Sequence, residues 1–116
     1  MDIYNIWFNA KPSVGDLMLV EKVGAYLNYL RQQNLIEAWR LTRRKLGLGP
    51  SHLGDFHLMI EVRNLRQLDD AFAHVATRRD PVEALHHGLN SLVNDAIFAL
   101  YRDFPDPVRH HGEEKF

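Results

Sequence analysis

The chain has 116 residues, of which 46% are hydrophobic and 25% charged, and its formal net charge is −1 at pH 7. This size and composition are typical of one globular domain, and the near-neutral charge argues against a nucleic-acid-binding protein. The absence of cysteine excludes disulfides, thiolate catalysis and cysteine-ligated metal sites, and no apolar run approaches the length of a membrane span.

The first predicted element is a β-strand over residues 3–9, where apolar and mixed positions alternate. A period of two residues is that of a strand with one buried face. The apolar row is Tyr4, Ile6 and Phe8, and the mixed row is Asn5, Trp7 and Asn9.

A helix is predicted next, from a capping-box pattern at Ser13 and Asp16 to about Asn34. Gly24 lies inside this helix at a cost of about 1 kcal/mol relative to alanine, which predicts close backbone packing against the sheet. The apolar stripe at helical spacing is Val20, Val23, Leu27 and Leu30.

The segment EAWRLTRRKLG, residues 37–47, is predicted to be a second strand although it carries three arginines and a lysine. Trp39 and Leu41 are expected to face the core, which sends Arg40, Thr42 and Arg44 to the opposite face. The charge is interpreted as making one sheet face polar, or as protecting an edge strand from aggregation.

A turn, LGLGPSHLG, leads into a third strand, DFHLMIEV. Its core row is Phe56, Leu58, Ile60 and Val62, and its opposite row is His57, Met59 and Glu61. The predicted register pairs Arg44 with His57, Thr42 with Met59, and Arg40 with Glu61, which would place opposite charges across the strand pair.

Two helices and a strand complete the predicted order. Asn64 and Gln67 form an N-cap signature, and Asp80-Pro81 with Glu83 begins the second helix. The expected apolar stripes are Leu65, Leu68, Phe72 and Val75 in the first helix and Val82, Leu85, Leu89 and Leu92 in the second. Residues 95–102 are predicted to form the last strand.

Residues 103–116 form a proline-punctuated C-terminal tail. This tail is expected either to pack on a partner subunit, through Phe104, Pro107 and Phe116 among others, or to fray.

The order β-α-β-β-α-α-β predicts a single α+β domain over residues 1–116, a ferredoxin-like sandwich. Its four-stranded antiparallel sheet carries the helices on one face. The first and third strands are central in this topology, and the second and fourth are edges. The other sheet face is therefore open, and any polar site on the sheet is expected there.

The stretches MDIYNIWFN, EAWRLTRRKLGLG and FALYRDFPDPVR resemble an uncharacterised bacterial family of small domains of unknown function. In topology the chain is similar to the dimeric α+β barrel superfamily, whose members include haem-degrading monooxygenases, quinol-type monooxygenases and small isomerases. The resemblance implies a homodimer in which two open sheet faces enclose a lumen. Such a partner would cover Trp7 and Met59.

Three functions are compatible with the predicted fold and dimer. The first is binding or transformation of a small polar or anionic metabolite in the lumen, with no catalytic residue identified. The second is a structural or interaction module whose polar face only specifies pairing. The third, implied by the superfamily, is a haem-degrading or quinol-type monooxygenase. The candidate ligand-binding residues are Asn5, Trp7, Asn9, Arg40, Arg44, His57, Met59, Glu61 and Tyr101.

The pattern of the haem-degrading relatives is matched only in part. It combines an Asn on the first strand, a Trp on the third and a His on the next helix. The chain has Asn5 and Asn9, and it has His74 on the predicted helix, but His57 and Met59 stand where a Trp is needed. The cofactor is therefore unknown, and haem is the one candidate that the resemblance implies.

No other partner class is expected from the sequence. The seven histidines, among them His86 and His87, lack ligand spacing, so no metal site is expected. Nucleic acid is not an expected partner, because the third strand lacks the aromatic pattern of an RNA-recognition motif. Without a signal-peptide pattern, a cytoplasmic protein with no membrane partner is expected.

Overall fold

The computed structural model describes residues 1–106, 108, 111 and 112. The elements in chain order are β1 (Asp2–Ala10), α1 (Asp16–Gln32), β2 (Ala38–Arg43), β3 (Phe56–Val62), α2 (Leu65–Ala76), α3 (Val82–Asn90) and β4 (Val93–Arg102). This is the predicted order. The strands form one antiparallel sheet in the order β2-β3-β1-β4, so β1 and β3 are central and the predicted ferredoxin-like α+β fold is confirmed.

The register between β2 and β3 differs from the predicted one by two residues. Thr42 faces His57, Arg40 faces Met59, and Ala38 faces Glu61. A shift of two residues keeps every side chain on its predicted face but changes its partner, because the side-chain period of a strand is two. The predicted pairing of Arg40 with Glu61 is therefore wrong.

The core lies between the sheet and the three helices. The helix α1 begins two residues later than its capping pattern predicted. Gly15 is the N-cap residue and no side chain caps the helix; Ser13 has a left-handed backbone with φ 73. The capping-box prediction is wrong for this reason. The buried stripe of α1 is Leu19, Val23, Leu27 and Leu30, and Val20 is 39% exposed.

The N-cap of α2 is confirmed. The side-chain oxygen of Asn64 accepts from the backbone N–H of Gln67 at 2.9 Å, and the Gln67 side chain accepts from the backbone N–H of Arg63 at 2.8 Å. The predicted stripe is only partly correct, because Leu65 and Phe72 are exposed. The buried residues of α2 are Gln67, Leu68 and Ala71, and those of α3 are Val82 and Leu89.

The edge strand β4 carries exposed apolar side chains on both faces. Ile97 and Tyr101 lie on the open face, and Phe98 and Leu100 lie on the face that carries the helices. The pairing of β1 with β4 shifts between Trp7 and Asn9, which is a β-bulge or similar irregularity. The helices therefore leave β4 uncovered, unlike β1 and β3.

Just beyond β4, residue 103 lies beside the N-terminus. The backbone N–H of Asp103 donates to the carbonyl oxygen of Met1 at 3.0 Å, and Phe104 is exposed. The tail residues Pro107 and Phe116 lie outside the described residues. The separation of a tail from residue 103 onward stays a prediction.

Candidate functional site

The open sheet face brings most of the candidate residues together in three rows. Residues that face each other across neighbouring strands project from the same side of a sheet. From β2 to β4 the rows are Ala38, Glu61, Ile3 and Tyr101; Arg40, Met59, Asn5 and Ala99; and Thr42, His57, Trp7 and Ile97.

A contact between Asn5 and His57 forms the centre of this face. Nε2 of His57 lies 2.8 Å from the side-chain oxygen of Asn5, and the Asn5 amide donates to the carbonyl oxygen of Ile3 at 3.1 Å. Asn5 is only 7% exposed, so its polar atoms are satisfied inside the sheet surface.

The Trp7 ring stacks on the His57 ring, with centroids 4.3 Å apart and planes 12° from parallel. Burial lowers the pKa of His57 from its usual value of 6.5, which favours the neutral imidazole. The cluster of Asn5, Trp7 and His57 is therefore a neutral, hydrogen-bonded patch rather than a charged one.

The charged candidates do not converge on this cluster as ion pairs. Within the described residues, neither Arg40 nor Glu61 forms an ion pair. Arg40 is exposed beside Met59, and Glu61 lies in a different row, beside Ile3. Tyr101 is at the far end of that row, exposed and two rows away from His57.

Arg44 lies just after β2 and holds the loop that follows. Its Nη2 donates to the carbonyl oxygens of Pro50 and Leu53 at 2.7 and 2.8 Å, and its Nη1 lies 3.9 Å from Asp55. A small cavity of about 180 Å³ lies here, between this loop and the rings of Trp7 and His57. Because the guanidinium donates to two loop carbonyls, its position is fixed by the loop and not by the open sheet face.

Asn9 fixes the other side of the same loop. Its side-chain oxygen accepts from the backbone N–H of Asp55 at 2.9 Å, and its amide donates to the Asp95 carboxylate at 3.2 Å. Both Asn9 and Arg44 are thus engaged by neighbouring protein groups.

A larger cavity of about 330 Å³ lies on the other side of the sheet, between the strands and the helices. Its buried walls include Phe8, Leu27, Leu30, Leu58 and Leu68. Its exposed lining residues mark the opening between α2, α3 and β4: Phe72, Ala76, Asn90, Ala96 and Phe98. The sequence did not predict this site, because its apolar rows indicated a filled core.

Two phenols and an imidazole are the titratable groups in the described lining of this helix-side cavity. They are Tyr4 from β1, Tyr26 from α1 and His86 from α3. The Tyr26 and His86 rings lie 5.4 Å apart. Tyr4 packs between Phe72 and Phe98, at centroid distances of 5.4 and 6.0 Å. The sequence signal for this cavity was Tyr4, a phenol within the apolar row of the first strand.

Both phenols are held in the neutral form. Burial raises the pKa of Tyr26 to about 12, with the nearby Tyr4 hydroxyl as a second cause, and burial also raises the pKa of Tyr4. Neither hydroxyl has a hydrogen-bond partner among the described residues, whereas the Tyr29 hydroxyl lies 2.8 Å from Nε2 of His74. The helix-side cavity thus presents hydrogen-bond donors in an apolar surrounding.

The residues present do not fit the haem pattern. Asn5 projects from the open face and is bonded to His57, whereas His74 is on α2, on the opposite side of the sheet, and is bonded to Tyr29. The members of the pattern therefore cannot contact one bound group. In the part of the chain that the structure describes, no three histidine or acidic side chains come together as metal ligands.

The comparisons with known proteins agree with this fold. The sequence pattern of a family described as "Family of unknown function (DUF6614)" matches residues 1–116. No curated protein is significantly similar to the chain in sequence. Within the described residues, no helix is both long and apolar enough to cross a bilayer.

Several solved structures share the architecture at low sequence identity. A protein of Arabidopsis thaliana has a TM-score of 0.71 and 10% identity, over 91% of this chain and 98% of that one. SnoaB, described as a cofactor-independent oxygenase from Streptomyces nogalater, has a TM-score of 0.67 and 9% identity, over 93% and 97%. A dimeric ferredoxin-like protein of unknown function from a Jannaschia species has a TM-score of 0.62 and 9% identity, over 89% and 100%. At these identities the likeness establishes the fold alone.

Proposed function

The chain belongs to the DUF6614 family of unknown function, and because this membership brings no activity with it, we propose a function from the geometry. The protein is a homodimer that binds a small, largely apolar molecule in the helix-side cavity of each subunit. The open sheet face serves to pair the two subunits.

The observation that carries this proposal is the volume of the helix-side cavity. Protein interiors are close-packed and contain few voids larger than a water molecule. A space of about 330 Å³ falls in the range of small-molecule sites, which begin near 300 Å³. Aliphatic and aromatic walls with a few polar groups, here Tyr4, Tyr26, His86 and Asn90, are the usual composition of such sites.

The pairing part of the proposal rests on the open face. Trp7, Met59 and Ile97 are apolar side chains that remain partly exposed there, beside the hydrogen-bonded pair of Asn5 and His57. A mixed apolar and polar surface of this kind is suited to a second copy of the chain. One structural neighbour is described as dimeric, which supports the same arrangement.

A ligand in the lumen between the two sheets, bound by Arg40, Arg44 and His57, stays a prediction. The engagement of Arg44 by loop carbonyls favours the helix-side cavity over that alternative. The cytoplasmic location is likewise still a prediction.

A second candidate function is oxygenation of a bound substrate in the same cavity. SnoaB, which shares this architecture, is described as a cofactor-independent oxygenase. His86, the imidazole among the described lining residues, is the group that would accept a proton from the substrate as a general base.

Blocking the opening of the helix-side cavity tests the proposal. Ala76 lines the opening, and Ala73 is exposed on the same helix without lining the cavity. We expect the apolar fluorescent probe N-phenyl-1-naphthylamine to bind the native protein at one site per subunit. Ala76→Phe should weaken this binding about tenfold or more, and Ala73→Phe should leave it unchanged.

Two results contradict the proposal. Failure of the native protein to bind the probe removes the ligand site. Equal probe binding by Ala76→Phe and Ala73→Phe places the probe elsewhere on the surface.

A further inference from the structure

The two phenols of the helix-side cavity are hydrogen-bond donors without a protein acceptor among the described residues. Tyr4 comes from a central strand and Tyr26 from α1, so they reach the same space from opposite walls. Partly buried tyrosine hydroxyls usually find a hydrogen-bond partner, because burying an unpaired hydroxyl is unfavourable. The position of these two hydroxyls therefore limits the chemistry of a bound molecule.

The charge of the cavity lining further limits the chemical class of the ligand. No lysine or arginine is among the described lining residues, so no permanently charged side chain would balance a buried carboxylate or phosphate there. A hydrocarbon without polar atoms would leave both phenols unpaired. A neutral oxygen acceptor meets both conditions, since neutral phenols donate to it and no charge is buried.

We infer that the helix-side cavity takes a neutral carbonyl compound, a ketone or quinone on an apolar ring skeleton, whose oxygen accepts hydrogen bonds from Tyr26 and Tyr4. This inference rests on the proposed function, because it assumes that the cavity is a ligand site. The His86 ring packs beside the Tyr26 ring, with centroids 5.4 Å apart.

A matched pair of probes separates the inference from the proposed function. 1-Tetralone and tetralin have the same fused-ring skeleton and differ by one carbonyl oxygen. We expect the native protein to bind 1-tetralone about 3- to 10-fold more tightly than tetralin, as one or two hydrogen bonds allow. Affinities would be measured by chemical-shift titration of the leucine methyl groups.

Tyrosine-to-phenylalanine variants identify the donors. Tyr26→Phe should remove most of the preference for 1-tetralone and leave tetralin binding within about twofold of the native value. The carbonyl stretch of bound, ¹³C-labelled 1-tetralone should move to higher frequency in this variant as a donor is lost. Tyr4→Phe is measured in parallel. Tyr29→Phe is the control, since Tyr29 is on the same helix but does not line the cavity.

Three results would contradict the inference, the proposed function or the assignment of the donors. Equal affinity of the native protein for the two probes overturns the inference and leaves the proposed function standing. Binding of neither probe overturns the inference, and it overturns the proposed function too if N-phenyl-1-naphthylamine also fails to bind. A preference for 1-tetralone that survives both Tyr26→Phe and Tyr4→Phe overturns the assignment of the donors.

Discussion

The hydroxyl of Tyr29 lies 2.8 Å from Nε2 of His74, so a hydrogen bond joins α1 to α2. Tyr26 lies one turn earlier on the same helix and has no such partner among the described residues. One tyrosine of α1 is thus used to hold the helices together, and the other faces the helix-side cavity.

Substitution of the two tyrosines should affect stability differently. Tyr29→Phe removes a hydrogen bond and leaves His74 without its partner, so we expect the free energy of unfolding to fall by about 1 kcal/mol. Tyr26→Phe removes a hydroxyl that has no protein acceptor, and we expect a change of less than about 0.5 kcal/mol. Urea unfolding of both variants measures the difference; equal losses would contradict this division of roles.

Gly24 should tolerate alanine with a gain in stability. A Cβ at this helical position would lie 3.8 Å from the Trp39 ring, which is an ordinary van der Waals contact. The predicted close approach of the backbone is therefore not close enough to require glycine. We expect Gly24→Ala to raise the free energy of unfolding by up to about 1 kcal/mol, the difference in helix propensity.

Gly54 is the matched control for that substitution. A Cβ there would overlap the backbone of Phe8, which cannot move as a flexible side chain can. Gly54→Ala should therefore destabilise the fold strongly. A destabilised Gly24→Ala variant in thermal unfolding would show that α1 packs on Trp39 more tightly than the structure indicates.

Arg44 should control the order of the loop between β2 and β3. Lysine keeps the positive charge but cannot reach the carbonyl oxygens of Pro50 and Leu53 with the same geometry. We expect Arg44→Lys to increase amide hydrogen exchange in residues 45–55. Arg43→Lys is the control, because Arg43 is exposed and bonded to Asp16 instead. Unchanged protection of the loop in Arg44→Lys would show that Arg44 does not hold it.

His57 should make the free energy of unfolding decrease as the pH becomes acidic. Because burial lowers the pKa of His57 in the folded chain, the unfolded chain takes up the proton first as the pH falls. The contribution of His57 is therefore fully present above its usual pKa of 6.5 and is lost as the pH falls below that value. Unfolding free energies of the native protein and His57→Gln, between about pH 7.5 and 5.5, should converge toward the acidic end. A constant difference across that range would contradict the expectation.

The alternation of each strand was predictable because it is a local property. Successive side chains of a strand point to opposite faces whatever the strand pairs with, so Phe8, Leu58 and Ile60 were assigned to the core correctly. The register of β2 on β3 is not local. It depends on the path of the loop, which Arg44 closes through carbonyl contacts that no periodicity reveals.

The helix-side cavity could not be predicted for a related reason. Apolar stripes indicate which helix face turns inward, but they do not indicate how far a helix stands from the sheet. Phe72 was expected in the core and instead lies at the opening, where it contacts Tyr4. Of the predicted open-face residues, the contacts among Asn5, Trp7 and His57 follow from strand alternation, whereas the ligand role of the set is still untested.

The strand β4 offers a matched test of subunit pairing through the open sheet face. Ile97 and Leu100 are apolar, partly exposed residues of the same strand that project to opposite faces of the sheet. If the open face is the dimer interface, a charge at Ile97 is buried without a partner, whereas a charge at Leu100 stays in solvent. We expect Ile97→Lys to be monomeric and Leu100→Lys to remain dimeric in sedimentation-velocity experiments at micromolar concentration. A native protein that is monomeric would contradict pairing altogether. Dissociation of Leu100→Lys with an intact Ile97→Lys dimer would move the interface to the side of the sheet that carries the helices, where it would cover the opening between α2, α3 and β4.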